Sequence, residues 1–395
     1  MIVTNQQQLK KPLLNSGFYT VLLTLIFLLF SWGSNPVKDI FIALPFFVIF
    51  YFLICSIGKP QIADFLNAKT KEKKHLTLIL PLAFIVLYFG YLGLNGENPF
   101  QGILFLVPYL LFFPVLAFAL YGGAERQLGW FDFMVFFLYF LPVTLIHAKP
   151  AGNLPIRGGG FDSVYRIIVI LTAVYAFVSV RNLRDVGFFP VFKWQNLFTV
   201  IWVWLLFYAS VFVIGWSVNF ITFKQDSAFH ILVNQKVFRT LVSIFLHTAL
   251  FEELVFRGLL QNMISKRIRQ SNGWKSFWIW WLIILLMLSL LIGYSLKGNM
   301  HWFPALITLI LFLCAWLIES WKKNPAGAYT SLAITSVIFG LVHAHSGSII
   351  FVGLASIGGW AYGYVYHKTT NVFYAALLHA LVNATPLIFG LELAK

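Results

Sequence analysis

The amino-acid sequence predicts an all-α protein, a polytopic transmembrane helical bundle of about thirteen spans. Three observations carry that expectation. The 395 residues are 60% hydrophobic and only 10% charged, whereas soluble domains carry roughly 25% charged residues. That is too little polar surface to cover a globule in water. Mean hydropathy is +0.83, and 18% of the residues are aromatic, 43 of them Phe. Finally, apolar runs close to the ~20 residues that cross a bilayer recur from end to end.

The first six runs fall near 17–33, 39–57, 76–94, 100–121, 129–147 and 163–180. Seven more follow near 196–216, 236–264, 274–296, 301–319, 329–345, 347–366 and 371–391. The shortest pair, 329–345 and 347–366, is nearly continuous, which bounds the count at roughly 11 to 14 spans. Basic clusters alternate with the runs. Lys10 and Lys11 precede the first, and Lys69, Lys71, Lys73 and Lys74 follow the second. Arg126 follows the fourth; Arg181, Arg184 and Lys193 the sixth; Lys266, Arg267, Arg269 and Lys275 the eighth. Lys322 and Lys323 follow the tenth, and Lys368 the twelfth. The gap 148–162 carries Lys149 and Arg157 on the opposite side. Cytoplasmic loops collect Lys and Arg, so the pattern puts the N-terminus inside and suits a bacterial inner membrane.

The net charge of +15 is therefore read as loop charge meeting anionic lipid, not as a nucleic-acid interface. Cys55 and Cys314 both lie in apolar runs and form no CxxC motif or disulfide framework. The first apolar run lacks a small-residue cleavage site and is expected to be a retained helix. A Gly/Pro-rich stretch, PAGNLPIRGGG at 150–160, reads as a linker; the domains are expected as N-terminal membrane helices of unassigned role (1–181) and a C-terminal core (182–395). Within the core, 270–328 holds two apolar spans.

The chemistry concentrates in three of these runs. TALFEELVFRGLL, at 248–260, puts Glu252, Glu253 and Arg257 into membrane helix, at a cost of about 2.5–3.5 kcal/mol each on insertion scales. Glu253 and Arg257 are four apart and share one helical face, so a structural ion pair explains them. Glu252 projects about 100° away from Glu253 and needs another partner or a proton. SVIFGLVHAHSG, at 336–347, spaces Phe339 and His343 by four, and YAALLHALVNATP, at 374–386, spaces His379 and Asn383 likewise. A lone histidine in an apolar helix is more often structural than catalytic. Three helices with buried polar groups instead suggest one shared polar site, because unpaired buried polar atoms cost a few kcal/mol. Such a set suits metal binding or water activation. HExxH and GxSxG are both absent.

Together these residues resemble the CPBP family of CAAX-processing and bacteriocin-processing intramembrane endopeptidases, marked by EExxxR, FxxxH and HxxxN in order. Here they read Glu252-Glu253-x-x-x-Arg257, Phe339-x-x-x-His343 and His379-x-x-x-Asn383, with FRGLL and GGWAYGYVYHKTTNVFYAALLH flanking them. The resemblance covers about residues 236–391. It implies a polar cavity in the bilayer and hydrolysis of membrane-associated protein or peptide substrates. Glu252 would be the general base and His343 would help hold the water. His379 and Asn383 would donate to the oxyanion, while Glu253 and Arg257 would orient the site or the substrate. Glu252, His343 and His379 also make a His₂Glu set for a divalent metal such as zinc. A metal-free glutamate mechanism is preferred, because Asn383 beside His379 suits an oxyanion hole. The two spans at 270–328, which this resemblance makes an inserted helix pair, and the six preceding runs depart from the family pattern. His247 is expected to be structural, His345 to support the site, and His301 and His367 to lie in water at helix ends. The rival expectations are a scaffold or immunity-type protein that binds a peptide through the same cluster, and a secondary transporter, for which the expected inverted repeats are missing.

Overall fold

The computed structural model describes residues 6–94, 108–121, 127–144, 164–217, 220–223, 235–271, 273–322, 326–389 and 391–393. The linker at 150–160 lies outside them. In chain order the helices are α1 (Gln6–Ser31), α2 (Val37–Ser56), α3 (Pro60–Glu72), α4 (Ile79–Leu94), α5 (Phe113–Tyr121), α6 (Trp130–Thr144) and α7 (Val164–Val174). A π-helical stretch, Tyr175–Val180, extends α7, and α8 (Trp194–Ser217) follows. Residues 235–271 are helical throughout but change pitch four times. They run as α9 (Gln235–Ile244), a π segment (Phe245–Ala249), α10 (Leu250–Glu253), a second π segment (Leu254–Gln261) and α11 (Asn262–Ser271). The last helices are α12 (Trp274–Ser295), α13 (Phe303–Ser320), α14 (Ala328–Val342), α15 (Ile349–Thr369) and α16 (Val372–Phe389).

The protein is a helical, polytopic membrane protein. Eight described helices are long and apolar enough to cross a bilayer, and four shorter apolar helices accompany them. Trp280, Met287 and Leu291 of α12 are 63%, 66% and 67% exposed, the side-chain display of a lipid-facing helix. One small departure from all-α is a ribbon in which β1 (Ile221–Phe223) pairs antiparallel with β2 (Leu391–Leu393). It satisfies backbone groups where two helices end. Gly215 makes room for it: a Cβ there would lie 2.5 Å from Ile221 Cδ1.

The chain divides into two compact units. The first comprises Met1–Val191 with Val242–Leu254. Its α1 and α2 are pinned by Ser16 Oγ donating to the Cys55 carbonyl at 2.9 Å and by Lys59 Nζ donating to the Pro12 carbonyl at 2.9 Å. α3, an element not foreseen from the apolar runs, is amphipathic and ends on Lys69 and Lys71. Its Asn67 amide donates to the Ser179 carbonyl at 2.6 Å. Asp132 and Arg181 form a buried two-point ion pair, with Arg181 Nη2 to Asp132 Oδ2 at 3.2 Å and a second contact through Nε. Losing one partner strands the other charge out of water. Arg181→Met is expected to cost about 3–5 kcal/mol, read as a lowered melting temperature in detergent.

The second unit comprises Phe192–Leu241 with Val255–Lys395. Its centre is the hairpin of α14 and α15. In each, 72% of the most apolar window is buried, against 17% for α12. Gly347, at φ +75°, ends the first helix in the left-handed conformation that favours glycine, and Ser348 Oγ caps the second by accepting from the Phe351 amide. Small residues let the two backbones touch. A Cβ on Gly340 would sit 1.9 Å from Ser356 Oγ, and one on Gly359 would sit 2.9 Å from the Ser336 Cα and carbonyl oxygen. Gly359→Leu therefore meets backbone, and overpacking of this kind costs about 1–3 kcal/mol. The expected result is a lower yield of folded protein by size-exclusion chromatography.

The inserted pair is part of this packing. Trp278 Nε1 of α12 donates to the Phe312 carbonyl of α13 at 2.8 Å, and Ser289 and Thr308 hydroxyls meet at 2.8 Å. His301 is half-buried, not in water: its Nδ1 meets the Gly293 carbonyl at 2.8 Å. At the far end of α13, completely buried Glu319 accepts the Tyr329 amide at 2.7 Å. This carboxylate thus sits on the positive end of α14, the helix that leads to His343. Glu319 lies in an apolar run and gave no motif in the sequence.

Candidate active site

The second unit holds a cavity of about 290 Å³ among α8, α14, α15 and α16. Its walls are largely aromatic and aliphatic, with Phe207, Tyr208, Phe339, Phe351 and Tyr362 among them. Its polar groups are the motif side chains: His343, His379 and Asn383 all line it. Two motifs 36 residues apart in sequence, by their histidines 343 and 379, thus meet on one surface.

Each is held by local structure. His343 stands where α14 ends, and its ring Nδ1 meets the Phe339 carbonyl at 2.7 Å. A carbonyl only accepts, so Nδ1 donates to it. The four-residue spacing of FxxxH thereby lets the ring satisfy a helix-end carbonyl. His379 is 3% exposed and stacks on Tyr362, with ring centroids 4.6 Å apart and planes 7° apart. The Phe339 ring meets it edge-on at 5.9 Å. Asn383 is one turn further along α16 and is exposed.

Pro386 shapes this end of α16. Proline has no N–H for the carbonyl four residues back, which belongs to Val382. Tyr208 of α8 supplies the missing donor, its hydroxyl bonding the Val382 oxygen at 2.7 Å. Trp204 Nε1 donates to Thr385 Oγ1 at 3.0 Å beside it. α8 therefore braces the turn that presents Asn383. Tyr208→Phe leaves a carbonyl unsatisfied, at about 1–3 kcal/mol, and is expected to lower the melting temperature without emptying the cavity of its polar groups. Tyr208 and Tyr362 carried no motif signal. Their only sequence trace is a tyrosine within an apolar run.

Arg257 is completely buried. Its Nη2 donates to the Gly359 carbonyl at 3.1 Å, and its guanidinium carbon lies 4.5 Å from the Phe339 ring centroid and 5.4 Å from that of Tyr362. One turn on, Gln261 Nε2 donates to the Gly363 carbonyl at 3.2 Å. The two side chains repeat along α15 at the spacing of its glycines. A Cβ on Gly363 would lie 2.7 Å from Gln261 Oε1, so that glycine admits the second rung. Arg257 is thus set behind the two rings that hold His379. Gln261 escaped sequence reading because an amide in a helix flank has no distinctive spacing.

Glu252 and Glu253 lie in the first unit, on the four-residue turn α10. Glu253 is completely buried. Glu252 is half-buried, and among the described residues its Oε2 is a buried oxygen with no hydrogen-bond partner. The π pitch that flanks the turn bonds i to i+5. Facing rules for an α-helix, on which the sequence reading relied, therefore hold only within Leu250–Glu253. His345 is exposed, its Nδ1 on the Val342 carbonyl at 2.8 Å. Among the described residues no group of three His, Cys, Asp or Glu side chains is placed to hold a metal.

Comparison with known proteins bears on the same stretch. Residues 234–324 and 311–385 match the family described as type II CAAX prenyl endopeptidase, Rce1-like. This C-terminal stretch, less than half of the chain, is similar to that family. The matched stretch contains all three motifs. No curated protein and no solved structure matches the chain.

Proposed function

We propose that the protein is an intramembrane endopeptidase in which Glu252 activates a water to attack a peptide bond of a membrane-associated substrate. The observation that carries this reading is the convergence of His343, His379 and Asn383 on one apolar-walled cavity. Their chemistry is complementary: with Nδ1 donating to the Phe339 carbonyl, a neutral His343 offers Nε2 to a water proton, whereas His379 and Asn383 offer donors to a developing oxyanion. Among the described residues the Oε2 of Glu252 has no hydrogen-bond partner, which suits a general base, since a carboxylate already bonded to a cation has less drive to take a proton. Attack forms the tetrahedral intermediate. Glu252 accepts the water proton and then delivers it to the leaving amine, so that charge and protons balance.

Glu253 and Arg257 act as positioning residues in this scheme. The burial of Arg257 and its bond to the Gly359 carbonyl favour holding α15 and its Tyr362 in place over touching substrate. We propose that no metal takes part, because Asn383 beside His379 suits an amide donor to an oxyanion better than a zinc shell. We further infer a cytoplasmic N-terminus and a bacterial inner membrane, supported by the exposed lysines that end α3 between two spans.

The test uses purified protein in liposomes and an internally quenched peptide ending in a prenylated Cys-aliphatic-aliphatic-X motif, with its unprenylated twin. Cleavage of either is expected, and it is expected to survive a zinc chelator. Asn383→Ala should lower kcat by about 10²–10³-fold, the effect of losing one oxyanion donor. Wild-type kcat in that variant removes Asn383 from the mechanism, and chelator-sensitive cleavage overturns the metal-free form.

A further inference from the structure

The N-terminal helices have no counterpart in the three motifs, yet the turn that carries Glu252 packs with them. Val242–Leu254 clusters with Met1–Val191 into one compact unit. The contact is specific. Arg166, near the start of α7, donates through Nη1 to the His247 carbonyl at 2.7 Å. Its guanidinium carbon also lies 5.6 Å from the ring centroid of Phe251, the residue before Glu252. Phe140 of α6 meets the same ring at 6.1 Å, tilted by 66°.

The need for such a clamp follows from the helix itself. α10 is a single α turn between two π segments. π pitch is rare and tends to mark functional sites. A slip of one residue back to regular α pitch would swing the following side chains about 100° around the axis. His247 lies in the first π segment, so a charged donor on its carbonyl fixes that segment on one side of Glu252. Phe251, held by Arg166 and Phe140, fixes the turn itself. An arginine in an apolar span is costly, and its bond to a helix carbonyl and its place over an aromatic face offset that cost.

From this arrangement we propose that Arg166 is a positioning residue for the catalytic turn, and that the N-terminal bundle serves to aim Glu252. The inference rests on the reading of Glu252 as general base. Arg166 sits in the sixth apolar run, where a lone arginine gives no motif.

Arg166→Met, Arg166→Lys and Glu252→Gln are compared with wild type in liposomes on the prenylated quenched peptide. Arg166→Met is expected to lower kcat by about 10–100-fold, the scale of a misplacement near 1 Å, with KM and melting temperature unchanged. Arg166→Lys, which keeps a charged donor, should recover part of the loss. Unchanged kcat in Arg166→Met, or a loss that follows a lowered melting temperature and is not relieved by lysine, overturns the proposal. Should Arg166→Met fail to fold, Phe251→Leu decides: lower kcat at constant KM supports the clamp, and wild-type kcat overturns it. An inactive Glu252→Gln beside a fully active Arg166→Met defeats this inference alone. A fully active Glu252→Gln defeats the reading beneath it.

Discussion

Glu252→Gln is expected to lower kcat by about 10²–10⁴-fold, the range ascribed to a positioned general base, while leaving KM and fold intact. The substitution keeps the shape and volume of the side chain and removes only its basicity. Stability should not fall, because the lost group is a buried oxygen without a hydrogen-bond partner among the described residues. Peptide turnover in liposomes and a melting curve on the same preparation check both halves. Full turnover in Glu252→Gln would refute the glutamate mechanism.

His379→Phe is expected to lower kcat by about 10²–10³-fold, the loss that follows removal of one oxyanion donor, again with little change in KM. Phenylalanine preserves the flat ring that stacks on Tyr362 at 4.6 Å and meets Phe339 edge-on. The variant thus separates the imidazole N–H from the packing it also supplies. Tyr362→Leu is its complement: it keeps the imidazole and removes the stacking face, so it should loosen the ring and lower kcat less. If His379→Phe cleaves like wild type, His379 is a packing residue and the oxyanion role belongs elsewhere.

Both predictions draw on motifs that could be read before any fold was known, and the reason is physical. A charge or imidazole in a run of apolar residues stands out because the bilayer penalises it. Glu252, Glu253, Arg257, His343, His379 and Asn383 were all visible on that ground. The membrane class was visible for the same reason, since a chain with 10% charged residues has no other way to bury its surface. The supporting residues were not visible. Tyr208 acts because Pro386 withholds an N–H from the Val382 carbonyl, and Gln261 acts because Gly363 lets it approach. Neither relation is periodic, and each joins residues more than 100 positions apart. Arg166 is likewise linked to His247 across 81 positions.

The inserted helices show the same division. Two extra apolar spans could be counted at 270–328, but not their use. Glu319, on the second of them, caps α14 by accepting the Tyr329 amide, so an addition in sequence became a support for the helix that presents His343.

The sequence by itself determined the membrane environment, the helical architecture and the three motifs, because each depends on local composition and spacing. Only the tertiary structure decided that His343, His379 and Asn383 share a cavity, that Arg257 lies buried behind its aromatic wall, and that the Glu252 turn packs with the N-terminal helices. It also showed that this turn sits between two π segments. Pitch changes and long-range carbonyl contacts are set by which backbone groups find donors after packing, and no short window of residues encodes that outcome.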